Sequence, residues 1–304
     1  MECLKTEIQR YISACQYSKG LSSLTLKAYR IDLAQFLEHM NQKDFLAKDE
    51  LSEYINLLHQ KYKPKSAKRK VASIKAFYRY LEMEDIIEFN PFHKITFKFK
   101  EGLVLPRTIP LDDIKRILSY AYAIYEDAHT PYGKESCLRN IIILELLFST
   151  GMRVSEVSHL ELRNLELASG TIHIWGKGSK ERIMCITNTC ISDILKKYLD
   201  QRRSGNDYLF INRLGNRLSE QSIRNMIQTY ARTSGVTLHI TPHMFRHSFA
   251  TALLDRDVDI RYIQQLLGHS SITTTQIYTH ISVNRIRQIL ETKHPRNEIT
   301  LQSI

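Results

Sequence analysis

The stretch Ser136–Gly151, SCLRNIIILELLFSTG, decides how the chain is to be read. From Ile141 to Phe148 it is almost continuously apolar, and an element with that composition has to be covered on every side. It is expected to be the buried central helix of a domain, ended by Gly151 in the left-handed conformation that closes helices. A second helix precedes it, with Pro110 at its start and Asp112 and Asp113 in a first turn where carboxylates suit the helix dipole. After it, GTIHIWGKGSKERIMCI, Gly170–Ile186, carries the one convincing sheet signal: an alternating strand, a Gly-Lys-Gly-Ser turn and a second strand. Helices then resume at Cys190 and run, with short breaks, to about Lys293.

The residues upstream form a separate helical block from Thr6 to Leu81. Glu7–Gly20 ends on a glycine, Ser22–Met40 opens on a capping serine, a third helix fits Asp49–Tyr62 before Pro64, and a fourth starts at Ser66. In the fourth, Val71, Ile74, Tyr78 and Leu81 form one stripe, whereas Lys68, Lys75 and Arg79 share another. Between Lys61 and Leu81 there are eight Lys/Arg and no acid. A solvated helix face is the bland reading of that run; interleaved aromatics favour contacts to a nucleic-acid backbone. Pro91, Gly102, Pro106 and Pro110 then punctuate a stretch with extended character. The expected organisation is a helical domain over 1–97, a linker over 98–108 and a second domain over 109–304. The fold class is mainly α: a four-helix domain and an α-rich domain with a small antiparallel sheet.

The 304 residues, 43% of them apolar, suffice for two cores, since single cores usually split beyond ~250 residues. A formal charge of +11 favours a polyanionic partner, nucleic acid before an acidic membrane. No apolar run approaches the ~20 residues that span a bilayer, and the first residues, MECLKTEIQRY, mix charge with apolar side chains, so a cytoplasmic location is expected. Five cysteines, never spaced C-x-x-C, read as reduced thiols.

Three segments carry chemistry. Phe148–Leu162, FSTGMRVSEVSHLEL, places Arg153 directly after the buried helix; alone, it reads as a surface or capping residue. Glu156, three residues on, reads as a structural carboxylate that orients neighbouring donors. Thr241–Leu254, TPHMFRHSFATALL, sets His243 and Arg246 on one face of a helix whose core positions look like Met244, Phe249, Leu253 and Leu254. Such groups beside an apolar stripe need partners, and an anion is the obvious one. His243 and His247 have metal-ligand spacing, but no H-E-x-x-H or carboxylate cluster accompanies them; no metal is expected, and His247 reads as a packing histidine. Leu266–His280, LLGHSSITTTQIYTH, brings His269 and Tyr278 into a polar segment, while Tyr262 lies in an amphipathic helix beside Ile263, Leu266 and Leu267, where packing is its task.

In this order, TGMRVSEV, WGKGSKERIM, HMFRHSFATALL and LLGHSSITTTQIYTH resemble the tyrosine site-specific recombinases of the phage integrase family, the Xer-like members above all. The resemblance spans the whole second domain, and the four-helix block fits the family's core-binding domain. It implies a catalytic set of Arg153, Lys177, His243, Arg246, His269 and the nucleophile Tyr278. Lys180, three residues after Lys177, is the rival for its role or a phosphate contact, joining Lys68, Lys75 and Arg79 as candidate DNA-binding residues. It further implies double-stranded DNA as partner, a homotetramer on two DNA sites, with or without a partner recombinase, and no cofactor. Tyrosine chemistry fits: a phosphotyrosyl ester conserves the bond that hydrolysis would discard. Arg153 and Arg246 can clamp the phosphate oxygens, His243 can take the phenol proton, and Lys177 can protonate the leaving 5′-oxygen. Chromosome-dimer resolution and mobile-element integration or excision are both compatible. A non-cutting DNA-binding regulator and a type IB topoisomerase are the alternatives. Beyond Tyr278, the first part of Asn284–Ile304 reads as a short amphipathic helix with Ile286, Ile289 and Leu290 on one side, too few apolar residues to be stable alone, docking on its own domain or on a neighbouring protomer.

Overall fold

The computed structural model describes residues 2–99, 107–175, 181–203, 205–268 and 283–301. The chain divides into two compact units, Met1–Val104 and Leu105–Ile304.

The first unit holds helices α1 (Glu2–Tyr17), α2 (Ser23–His39), α3 (Lys48–Lys61) and α4 (Pro64–Met83), followed by a 3-10 turn at Pro91–Lys94. Ser22 caps α2 by accepting from the Thr25 amide. Pro64 does not merely halt α3. It is the first residue of α4, two positions before the expected start, because a first-turn amide has no helical partner to lose and proline's φ is already helical. The anticipated stripe of Val71, Ile74, Tyr78 and Leu81 is buried among Leu33, Phe36, Leu51 and Tyr54. Asp32 joins α2 to α4 from inside this core: its carboxylate accepts from Arg69, from Lys70 Nζ at 3.0 Å and from Ser73 Oγ at 2.8 Å. A buried carboxylate persists only with such partners.

The second unit runs through α5 (Leu111–Glu126), α6 (Pro131–Thr150), α7 (Val154–Ser158), the strands β1 (Leu165–Glu166), β2 (Thr171–Trp175) and β3 (Glu181–Cys185), then α8 (Thr189–Gln201), α9 (Glu220–Thr233), α10 (Pro242–Leu254), α11 (Ile260–Leu267) and α12 (Val283–Lys293), ending in a 3-10 turn at Pro295–Glu298. The strands form an antiparallel sheet in the order β1-β2-β3, with Ile172 opposite Met184 and Ile174 opposite Arg182. As its composition demands, α6 is the central helix: every residue from Ile141 to Thr150 is buried, and α5, α8 and α10 pack on it. Gly151 ends α6 at φ +59, and a Cβ there would come within 2.7 Å of Phe249 and 2.9 Å of Leu267, so both backbone sign and space require glycine.

Residues 286–301 join this unit's own core. Ile286, Ile289, Leu290 and Ile299 are buried in it, each such side chain contributing about 1.5–3 kcal/mol by removal from water. Arg296 forks onto Glu145 of α6, Nε to Oε2 at 2.7 Å and Nη2 to Oε1 at 2.8 Å, while its Nη1 donates to the Ile299 carbonyl. Tyr122 Oη donates to the same carboxylate, and His294 Nε2 donates to the Ser149 carbonyl at 2.9 Å. Of the expected core positions on α10, Met244, Phe249 and Leu253 are buried, but Leu254 is 52% exposed: it ends the helix, and Leu253 takes the inward place at that turn. Cys15, Cys137, Cys185 and Cys190 are free thiols. Among the described residues no helix is long and apolar enough to cross a membrane.

Candidate active site and nucleic-acid interface

The left-handed turn at Gly151 leads through the buried Met152 to Arg153, which sits at the N-cap of α7. Its backbone amide donates to Glu156 Oε2 at 2.7 Å and its Nη1 to Glu156 Oε1 at 2.9 Å. The sequence reading of Glu156 as an orienting carboxylate therefore has a geometry: it fixes both ends of Arg153. A second arginine shares it. Arg182, on β3, reaches across with Nη1 to Oε1 at 2.9 Å and Nη2 to Oε2 at 2.7 Å. Burial alone would raise the Glu156 carboxyl pKa, but the Arg182 fork and then the Arg153 bonds outweigh it and hold the group below its ordinary range.

Arg246 approaches the same place from α10 and is only 6% exposed. Among the described residues it has no carboxylate as a hydrogen-bond partner. Its Nη1 donates to the Gly151 carbonyl at 2.8 Å and its Nη2 to the Leu267 carbonyl at 2.5 Å, so it ties the ends of α6 and α11 together. Burial first, and Arg153 second, draw its pKa down to about 10. It stays charged at neutral pH. His243, one turn earlier on the same helix, is pushed below its ordinary value by partial burial and then by His247, Arg246, Arg153 and Arg224. It is therefore a neutral imidazole near pH 7, able to accept a proton. His247 is exposed, so the packing role expected for it is not what it does. Tyr262 is half-buried against the core, in keeping with a packing task.

Arg153 and Arg182 thus bond to Glu156, the charge of which also acts on Arg246, so that among the described residues three guanidinium groups gather around this carboxylate. Such a surplus of forked donors suits an anion with several oxygens, a phosphate above all. Of the expected set the structure brings together Arg153, His243 and Arg246. Lys177, Lys180, His269 and Tyr278 lie outside the described residues. Lys68, Lys75 and Arg79 are all exposed on α4. Lys70, part of the same basic run, is buried instead, bonded to Asp32 and to Gln35 with its ammonium 4.7 Å from the centre of the Tyr62 ring.

Sequence reasoning missed Arg182, and a signal was there to use. In the second strand it shares a phase with Met184, which is fully buried, and it faces Ile174, which is nearly so. A charge on the inward phase of an alternating strand needs a buried partner.

Residues 108–285 match the model of the phage integrase family, and residues 8–85 match that of the phage integrase N-terminal SAM-like domain. A tyrosine recombinase of Agathobacter rectalis is 49% identical over 303 residues, covering 98% of this chain and 99% of that one. The tyrosine recombinase XerD of Listeria innocua is 36% identical over 292 residues, covering 91% and 95%. Among solved structures, XerH bound to palindromic difH substrate in a post-cleavage complex superposes with a TM-score of 0.69 at 24% identity, over 91% of this chain and 82% of that one. A lambda integrase dimer bound to a COC′ core site gives 0.69 at 17% identity, over 91% and 99%. These last two likenesses speak for the fold.

Proposed function

Because the chain belongs to the phage integrase family and is a site-specific tyrosine recombinase, we propose that it cuts and rejoins double-stranded DNA through a 3′-phosphotyrosyl intermediate formed at Tyr278. The observation that carries this reading is Arg246: a buried guanidinium that, among the described residues, bonds to carbonyls only, beside a second arginine and a carboxylate that is already shared. A scissile phosphate is the counter-charge that such a site lacks.

In the cleavage step the Tyr278 oxygen attacks phosphorus and the bond from phosphorus to the 5′-oxygen breaks. The phenol proton passes to neutral His243, and Lys177 protonates the departing 5′-oxygen. Arg153 and Arg246 hold the non-bridging oxygens and neutralise the charge that grows on them, with His269 as a further donor to the phosphate. Attack by a 5′-hydroxyl on the phosphotyrosine reverses every step and reseals a strand. No bond energy is lost, so no nucleotide is needed. Lys68, Lys75, Arg79 and Lys180 contact the DNA backbone, and the boundaries 1–97, 98–108 and 109–304 divide binding, linker and chemistry. A tetramer on two sites follows from the need to exchange four strands, and the cytoplasm is its proposed location.

The test is capture. Incubation with sheared genomic DNA in excess EDTA, followed by denaturation, leaves protein covalently attached to DNA whose sequence gives the site and the cut position. Tyr278→Phe abolishes this attachment and Tyr262→Phe preserves it; the opposite pattern would assign the nucleophile to Tyr262.

A further inference from the structure

Glu156 is shared in a way that gives Arg182 a task beyond holding β3 in place; the inference rests on reading Arg153 as part of the phosphate clamp. The Arg182 side chain is 8% exposed. Gly268, the left-handed cap of α11, lies against its stem, where an added Cβ would stand 3.2 Å from Arg182 Cδ. Both Arg182 terminal nitrogens go to Glu156, one to each oxygen, at 2.9 and 2.7 Å. Arg153 takes the remaining positions, with one side-chain nitrogen on Oε1 and its backbone amide on Oε2. Each oxygen then accepts two bonds, which fills the four or so lone-pair positions of a carboxylate. Arg153 gives Glu156 a single guanidinium nitrogen, and its side chain keeps 35% exposure.

We propose that Arg182 is a positioning residue that keeps Arg153 available to an anion by saturating Glu156 with its own fork. The three groups sum to +1 when Arg182 is present and to zero when it is replaced by a neutral residue. Without it, Arg153 is the one arginine among the described residues still hydrogen-bonded to Glu156, and the two-nitrogen fork, the preferred geometry of an arginine–carboxylate pair, closes on Arg153 instead. The Glu156 side of that pair is 6% exposed, so little water screens the carboxylate. The clamp is then neutralised from within. Arg182 touches no reacting atom and acts through Glu156.

The experiment measures the rate of covalent attachment to a nicked duplex bearing the site recovered by genomic capture, alongside non-covalent binding to that duplex and thermal melting. Arg182→Gln slows attachment by about 10²-fold, the scale of a lost electrostatic contact to the transition state, with melting still cooperative above the assay temperature. The decisive variant adds Glu156→Gln. A neutral amide cannot neutralise Arg153, so the double variant regains at least about tenfold of the lost rate. A double variant as slow as Arg182→Gln, or slower, overturns the proposal and leaves Arg182 a packing residue. Should Arg182→Gln fail to fold, Arg182→Lys, with a point charge in place of the fork, is compared with Arg182→Lys/Glu156→Gln on the same criterion. Arg153→Ala guards the premise: attachment at the wild-type rate in that variant removes the clamp reading itself, whereas its loss together with a failed rescue removes only the role of Arg182.

Discussion

Arg246 and Arg296 are buried to a similar depth, at 6% and 3% exposure, and they end in opposite ways. Arg296 meets the Glu145 carboxylate with two nitrogens and a carbonyl with the third, and this pairing outweighs burial and raises its pKa. Arg246 meets two carbonyls and a neighbouring arginine, and burial draws its pKa down to about 10. Taking an ion out of water costs several kcal/mol, and a well-placed counter-charge is what offsets it. Around Arg296 the chain supplies that charge. Around Arg246 the described residues offer only Glu156, which Arg153 and Arg182 already occupy, and the deficit marks the place where, on the proposed reading, a phosphate completes the structure.

The contrast is open to attack at both arginines. Arg246→Gln should lower covalent attachment to the captured site by about 10³-fold, the upper range for a lost transition-state donor, while shifting the urea midpoint less than any change at Glu145. Glu145→Gln should do the reverse. It strands a buried guanidinium, a loss of about 3–5 kcal/mol in chemical denaturation, while attachment per folded molecule stays near wild type. If Arg246→Gln proved the more destabilising and Glu145→Gln the slower enzyme, scaffold and site would have been assigned the wrong way round.

A third measurement sharpens the scaffold side. His294 donates through Nε2 to the Ser149 carbonyl and accepts the Arg296 amide at Nδ1 at 2.9 Å, so it is held neutral, its pKa lowered to about 4 by burial above all. Unfolded, it titrates near 6.5. Between those values the unfolded chain binds a proton that the folded chain refuses, so stability falls as pH drops from 6.5 towards 4, by up to about 3 kcal/mol. Glu156, with a lowered carboxyl pKa, adds its own loss only at more acid pH. Urea melts at pH 7, 5.5 and 4.5 should show a shallower fall in His294→Gln; parallel curves would mean that His294 is not held neutral. The smallest effect belongs to Tyr262→Phe, within about 0.5 kcal/mol of wild type, since its ring packs at the edge of the core and its hydroxyl is not needed for that.

How much of this was legible in the sequence depended on distance along the chain. The composition of Ile141–Phe148 announced a central helix because covering it is a local demand, and the alternation of Thr171–Trp175 announced a strand for the same reason. His243 and Arg246 were readable as one face because they are a helical turn apart. Glu145 looked like a mere interruption of an apolar run, since its partner stands 151 residues later. Lys70 counted as one more basic residue because nothing near it in sequence reveals Asp32, 38 residues earlier. Arg182 fell between: its inward phase was visible, but its carboxylate, 26 residues upstream, was not.

That span of 151 residues also orders events during translation. As α6 is made, it carries an ionisable group that has no counter-charge until Arg296 has been added, and the core it centres on still lacks Leu290 and Ile299. Among the described residues, the core of the first unit draws on nothing later than Phe99. On a ribosome it can close while the rest is still being built. A message broken late in the reading frame therefore yields a chain whose leading third is folded, with the basic face of α4 displayed, and whose remainder stays open for proteases to find.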